Sequence, residues 1–168
     1  MNFYVTSGTP DYMEKLIAKY QLEPLILLHG NGNSVVLHET EKKSIFAVPR
    51  SFEVLDSKGS FEQKGYFTFY NMPIMSEERP IFEKKVLDAI PSLKKNDGVI
   101  AYRFLKPVKA ETYLLIIQWG GPASYEVWKN SENYITSVAP IIEGTASAMQ
   151  SMFNASSYIT TYSAAPKE

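Results

Sequence analysis

Residues 112–134 constrain the fold most, because their pattern is that of a buried strand, a tight turn and a helix. The apolar run at 114–117 has the length of a strand, and Trp119 follows it. Gly-Gly-Pro at 120–122 breaks the strand. We expect Ser124 to cap the next helix, which carries Trp128. The sequence therefore predicts a strand–turn–helix unit that contains both tryptophans of the chain.

Two interpretations of this unit stay open from the residues alone. Large aromatic side chains dominate core packing, so Trp119 and Trp128 fit an ordinary hydrophobic core. In the other interpretation, strand and helix form one wall of a pocket for a flat apolar ligand. Both place the two indoles at the centre of the C-terminal half.

Composition limits the classes of function. The chain has 168 residues and 45% hydrophobic residues, which suits one large domain or two small ones with a real core. A net charge of −1 argues against nucleic acid or an anionic membrane as a partner. With no cysteine there are no disulfides or thiolate metal sites. We expect no signal peptide, no membrane span and a cytoplasmic protein.

The first third of the chain is predicted to be rich in strands, with one helix. Thr9 followed by Pro10 marks a helix start, and apolar residues follow at helical spacing. Strands are predicted at 2–6, 25–28 and 35–37, the last two as a hairpin around Gly-Asn-Gly-Asn at 30–33. A further strand is predicted at 45–48. Residues 51–55 fit either a strand or a short helix.

The remainder is predicted to follow the order β-α-β-β-α-β, the split βαβ arrangement. The predicted strands are 66–70, 99–105, 112–119 and 158–163, and the predicted helices begin near Ser76 and Ser124. Residues 146–153 fit a short helix or an ordered loop. The order places two helices on one face of an antiparallel sheet.

Few residues suggest chemistry on their own. His29 and His38 lie at the ends of the hairpin strands, where they fit hydrogen-bonded strand residues or a bracket for a metal or haem. Lys85 fits a solvated helix residue or a contact to an anionic ligand tail. Asn71 shares its strand face with Phe67 and Phe69 if side chains alternate, so its amide needs a partner. That partner is either its own backbone or a ligand.

Six segments of the chain carry a resemblance when they are taken together and in order. They are YVTSGTPDY, SVVLHET, AVPRS with FEVLD, ERPIFEKK, YRFLKPVKAETY and QWGGPASYEVWKNSENY. With them the chain resembles the Isd-type haem-degrading monooxygenases of the antibiotic-biosynthesis-monooxygenase superfamily, above all the branch with an extra N-terminal domain. A shared architecture also makes the chain similar to TRAP-type signal proteins.

The resemblance implies an α+β fold of the ferredoxin-like, dimeric-α/β-barrel type, with two ferredoxin-like units fused in one chain. It divides the chain into an N-terminal β-rich domain with one helix at 1–62 and a ferredoxin-like monooxygenase (ABM) domain at 63–168. Because the N-terminal domain supplies the second unit of the barrel, a monomer is implied.

The resemblance also implies a site. The catalytic asparagine of the family falls on Asn71 and its tryptophan on Trp128, which are the expected catalytic residues. The histidine of the family falls on Val138, which cannot bind iron. Haem-binding residues are then expected to be Asn71, Lys85, Trp119, Trp128, Tyr134 and Val138. The metal ligand stays open, with Tyr134, His29 and His38 as candidates.

The implied function is a haem-degrading monooxygenase, with haem as both substrate and cofactor, dioxygen, an external electron donor and an unidentified reductase. The alternative is a non-catalytic haem-binding protein or a TRAP-type regulatory protein, which Val138 favours. A third candidate is oxidation of a phenolic molecule without any cofactor. The implied cavity lies between Trp128 and Asn71 on opposing surfaces.

Overall fold

The computed structural model describes residues 1–164. Within them, eight antiparallel strands form a closed barrel. The strands are β1 (Asn2–Gly8), β2 (Leu25–His29), β3 (Ser34–Thr40), β4 (Arg50–Lys58), β5 (Tyr66–Pro73), β6 (Val99–Pro107), β7 (Thr112–Trp119) and β8 (Tyr158–Ala164).

The barrel joins both halves of the chain through its strand order β1-β3-β2-β8-β5-β7-β6-β4. β1 closes the ring by pairing with β4, where Val5 lies opposite Arg50. The N-terminal strands meet the C-terminal strands twice, at β2–β8 and at β4–β6. Closure leaves none of these eight strands at the edge of a sheet.

The helices cover the outside of the barrel. They are α1 (Pro10–Lys19), α2 (Arg79–Ala89), α3 (Pro91–Lys94), α4 (Pro122–Lys129), α5 (Ala139–Ile142) and α6 (Ser147–Gln150). A 3-10 turn at Ser76–Glu78 precedes α2, and a π-helical turn at Tyr134–Val138 runs directly into α5.

The N-terminal elements confirm most of the local predictions. Thr9 caps α1, since its hydroxyl accepts a hydrogen bond from the Tyr12 amide. Residues 51–55 belong to β4. The strand predicted at 45–48 is wrong. There the Ser44 hydroxyl accepts from the Phe46 amide at 2.9 Å, and such side-chain bonds compete with a strand ladder.

The C-terminal elements confirm the order β-α-β-β-α-β, from β5 to β8. One predicted cap is wrong: α4 begins at Pro122 with Gly121 as the capping residue, so Ser124 lies inside the helix. Proline at the first helical position loses no hydrogen bond and has the required φ, which explains the earlier start. Residues 146–153 contain only the single turn α6.

Three hydrophobic clusters form the core within residues 1–164. One lies inside the barrel and contains Phe67 and Phe69 of β5. A second, smaller cluster lies under α1. The third and largest lies between the outer face of the C-terminal strands and the helices, and contains Tyr70, Trp119 and Trp128. Strand β5 is therefore buried on both of its faces.

The predicted domain boundary at 62–63 falls in the connection between β4 and β5. The division into two domains and their origin as two fused ferredoxin-like units remain predictions. Among residues 1–164, no helix has both the length and the apolar character needed to cross a bilayer.

Candidate functional site: an aromatic cluster between helices and sheet

Trp128 lies in a tightly packed aromatic cluster between the helices and the sheet. It is 4% exposed on α4. Its ring centroid is 4.4 Å from that of Tyr134, 5.2 Å from that of Trp119 and 6.4 Å from that of Tyr70. Tyr125 completes this group, with its ring 5.6 Å from that of Trp119. We call these five residues the aromatic cluster.

Hydrogen bonds tie the aromatic cluster together. The hydroxyls of Tyr70 and Tyr134 are 3.0 Å apart, and Tyr70 is 3.5 Å from the Tyr125 hydroxyl. The Tyr134 hydroxyl donates to Glu143 Oε2 at 2.5 Å. The Trp119 indole N–H donates to the Thr68 hydroxyl at 3.0 Å. The hydroxyls of Tyr70 and Tyr134 and the Trp119 indole N–H are thus buried with hydrogen-bond partners.

Burial keeps these phenols neutral. Desolvation raises the pKa of Tyr70 well above its ordinary value, with smaller contributions from Tyr134 and Tyr125. Desolvation also raises the pKa of Tyr134, and the hydrogen bond to Glu143 raises it further. The pKa of Tyr125 is likewise raised, chiefly by burial. At neutral pH the three side chains act as hydrogen-bonding phenols and supply no phenolate.

Asn71 lies on the opposite face of β5 from the aromatic cluster. It is 3% exposed, and its amide donates to the carbonyls of Phe69 at 3.3 Å and Tyr158 at 3.4 Å. The predicted shared face of Phe67, Phe69 and Asn71 is confirmed, and it is the inner face of the barrel.

The expected slot between Asn71 and Trp128 is therefore wrong. Successive side chains on a strand point to opposite faces, so Tyr70 and not Asn71 faces Trp128. The alternation itself carried this signal, because Tyr70 has the opposite parity to Phe67 and Phe69. Tyr70 and Glu143 are the residues of this region that the sequence prediction missed.

The other predicted haem-binding residues divide between core and surface. Trp119, Trp128, Tyr134 and Val138 belong to one buried cluster, and Val138 is fully buried. Lys85 is half-buried on α2 and has no hydrogen bond or ion pair with any residue from 1 to 164. The structure thus brings together four of the six residues expected at haem, without Asn71.

Neither histidine adjoins the aromatic cluster. His38 is buried on β3 with Nε2 3.2 Å from a Glu23 carboxylate oxygen, and its ring contacts Phe46. On β2, the Nδ1 atom of His29 is 2.5 Å from the Ser34 hydroxyl. Both are hydrogen-bonded strand residues, and no group of three possible metal ligands occurs within the described part of the chain.

The residues between helices and sheet do not fit a porphyrin. The Tyr70, Tyr134 and Trp128 rings occupy this layer in mutual contact. The cavity of about 480 Å³ beside Glu143 is lined by residues 143–145, Gln150 and residues 153–157. A cavity of about 210 Å³ lies at the barrel mouth. Neither of these two is lined by Trp128 or Tyr134.

Comparison with known proteins assigns the family. No family model matches the chain. The signal transduction protein TRAP of Staphylococcus epidermidis is 30% identical over 132 residues, covering 79% of each chain. This chain belongs to the TRAP family. The heme-degrading monooxygenase of Listeria monocytogenes is also a relative, 26% identical over 128 residues that cover 76% of this chain and 77% of that protein.

Solved structures share the fold of this chain, among them a ferredoxin-fold protein of Listeria monocytogenes with a TM-score of 0.80 at 21% identity, covering 99% of this chain and 95% of that one. A major regulator of staphylococcal pathogenesis has a TM-score of 0.87 at 19% identity, covering 99% of this chain and all of that one. The heme-degrading enzyme of Listeria monocytogenes has a TM-score of 0.74 at 23% identity, covering 98% and 100%. These similarities support the predicted ferredoxin-like α+β class. The TRAP-family membership agrees with one of the two resemblances found in the sequence.

Proposed function

We propose that this chain is a non-catalytic regulatory protein of the TRAP type that does not open the porphyrin ring. The observation that carries the proposal is the hydrogen bond between Tyr70 and Tyr134, which closes the layer between sheet and helices beside Trp128. A relative named for signal transduction, 30% identical, supports the regulatory role.

The residues in the layer between the sheet and the helices support the same conclusion. The resemblance places an iron-binding histidine at position 138, where this chain has a fully buried valine. It also requires an amide facing the tryptophan, where Tyr70 lies instead. Tyr134 is already engaged with Tyr70 and Glu143, so its phenol is not a free ligand.

Haem titration of the intact protein tests the proposal. The absorption spectrum is recorded as haem is added, and then ascorbate is supplied in air with catalase present to remove peroxide. We expect no loss of the Soret band beyond that of haem with albumin, and no iron captured by ferrozine. Catalase-insensitive bleaching with about one iron released per haem would contradict the proposal.

Haem degradation is the second candidate, and the 26% identical heme-degrading relative favours it. In this function haem is substrate and cofactor, with dioxygen, an electron donor and a reductase. Trp128 and Asn71 remain its proposed catalytic residues, with Lys85, Trp119, Tyr134 and Val138 at the haem. Residues 134–142 would first have to move off the sheet. Replacing Trp128 by phenylalanine should then slow bleaching while haem remains bound.

For both candidate functions we propose the same location, oligomeric state and absence of large partners. The protein works as a cytoplasmic monomer without nucleic acid or membrane as a partner. A barrel that closes within one chain supports the monomer, because no second copy is needed to complete the sheet. Size-exclusion chromatography with light scattering tests it, and a stable dimer mass would overturn it.

A further inference from the structure

The two ends of the barrel each carry an arginine, and the two guanidinium groups differ in their hydrogen bonding. At one end, Arg103 is 5% exposed and donates to both carboxylate oxygens of Glu39. The same guanidinium also donates to the carbonyls of Lys58, Gly59 and Tyr102. The hydrogen bonds of the positive charge at this end are therefore satisfied within the protein.

At the other end, which we call the barrel mouth, Arg50 has no such partner. Its guanidinium lies 5.2 Å from the Phe52 ring and has no hydrogen bond or ion pair with any residue from 1 to 164. No aspartate or glutamate is among the described residues that line the barrel mouth. Partial desolvation lowers the pKa of Arg50, yet a guanidinium stays charged at neutral pH.

The barrel mouth is also a cavity whose lining combines apolar side chains with hydroxyl groups. It measures about 210 Å³ and has apolar inner walls at Val5, Val35 and Phe69. Hydroxyls line it as well, from Ser7 and Thr160. At the volume of liquid water, about 30 Å³ per molecule, the space corresponds to about seven waters. That is smaller than the cavities of roughly 300 Å³ or more that hold drug-sized ligands.

Asn71 adds a buried polar group to this cavity. Its amide nitrogen is held by the carbonyls of Phe69 and Tyr158. Its side chain is 3% exposed and lines the cavity. The amide is thus oriented by the protein before any ligand arrives, and such preorganisation lowers the cost of binding.

We infer that the barrel mouth binds a small monocarboxylate with a short aliphatic chain, with Arg50 pairing the carboxylate and Val5, Val35 and Phe69 contacting the chain. The planar guanidinium matches a carboxylate with two parallel hydrogen bonds. The apolar walls favour a carbon chain over a compact inorganic anion. This site is on the opposite face of β5 from the aromatic cluster and does not depend on the proposed function.

Titration of the ¹⁵N-labelled full chain by NMR tests the site, with acetate, butyrate and inorganic phosphate at constant ionic strength set by NaCl. We expect saturable shifts of the amides of Ser7, Arg50 and Asn71, with butyrate binding several-fold tighter than acetate. Phosphate that binds at the barrel mouth as tightly as butyrate would overturn the carboxylate assignment. No saturable shift with any of the three would overturn the site.

Matched variants distinguish a specific ion pair between Arg50 and the carboxylate from a general attraction to positive charge. R50Q should weaken butyrate binding by about tenfold or more, because a charge-assisted pair is lost. R50K keeps the positive charge but lacks the planar guanidinium that makes two parallel hydrogen bonds, and it should give an intermediate affinity. K95Q removes one positive charge at the opposite end of the barrel, where the neighbouring Asn96 carbonyl binds Lys58, and should bind like the unmodified protein.

A blocking variant tests the position of the ligand. S7E places a carboxylate in the barrel mouth, which Arg50 also lines. It should abolish butyrate binding while the amide spectrum stays that of a folded protein. Equal losses in R50Q and K95Q, or undiminished binding in S7E, would show that no carboxylate pairs with Arg50.

Discussion

The hydroxyl of Tyr70 on β5 lies 3.0 Å from that of Tyr134, so a barrel strand and the π-helical turn outside it share a buried hydrogen bond. The Tyr134 hydroxyl in turn donates to Glu143, which follows α5. This chain of contacts holds residues 134–143 against the sheet. These contacts occupy the region in which the family resemblance implies a haem.

Removing either hydroxyl should destabilise the fold by different amounts. Tyr134→Phe loses the bonds to Tyr70 and Glu143 and should cost about 2 kcal/mol, whereas Tyr70→Phe should cost about 1 kcal/mol. Urea unfolding followed by circular dichroism measures both. The control is Tyr12→Phe, at a 62% exposed side chain, which should change the free energy of unfolding little. Equal values for all three variants would contradict the role of the network.

Stability should fall in alkali. The pKa values of Tyr70 and Tyr134 are raised in the folded protein from an ordinary value of 10.0, so the neutral phenols are favoured there. The contribution is fully present below pH 10 and is lost as pH rises further, because only the unfolded chain ionises easily. Phenolate absorbance at 295 nm should rise together with unfolding. Ionisation of every tyrosine near pH 10 without unfolding would refute this.

Arg103 should be among the most sensitive positions in the barrel. Replacing it by methionine leaves Glu39 and the carbonyls of Lys58 and Gly59 without their donor, and should cost about 3 kcal/mol or more. Arg103→Lys keeps the charge but lacks the planar guanidinium, so it should recover part of the lost unfolding free energy. Thermal unfolding measures both variants. A methionine variant as stable as the lysine variant would count against this ion pair.

Position 138 tests whether the layer admits haem. Val138→His puts a polar ring into a fully buried site and should cost about 2 kcal/mol, with no histidine-ligated haem spectrum. Adding Tyr70→Asn removes the ring beside Trp128, and the double variant should bind haem more tightly than the single one. Soret titrations measure this. A histidine-type spectrum from Val138→His alone would mean that the layer already accepts a porphyrin.

Gly65 should resist substitution. It has φ +79°, and an added Cβ would collide with the Trp119 carbonyl oxygen. Gly65→Ala should therefore cost at least about 1 kcal/mol through backbone strain and collision. Gly120→Ala is a matched control in the same region, since an added Cβ there meets nothing within 4 Å. Chemical denaturation compares the two, and equal stabilities would remove the steric argument.

Local signals in the sequence predicted most of the elements. Thr9 and Pro10 give the start of α1, and the apolar run before Trp119 gives β7, because capping and burial are properties of neighbouring residues. The strand predicted at 45–48 failed because a Ser44 side-chain bond took the place of a ladder. The start of α4 moved because proline itself favours the first helical position.

The sequence by itself determined that Tyr70 and Asn71 point to opposite faces, since strand side chains alternate. Only the tertiary structure decided which face is which. Residues 67–73 are all buried, so polarity gives no sign of the inner side, and closure of the barrel by β8 turns Asn71 inward. The packing of Tyr70 against Trp128 likewise depends on where α4 docks, a long-range contact that no local pattern encodes.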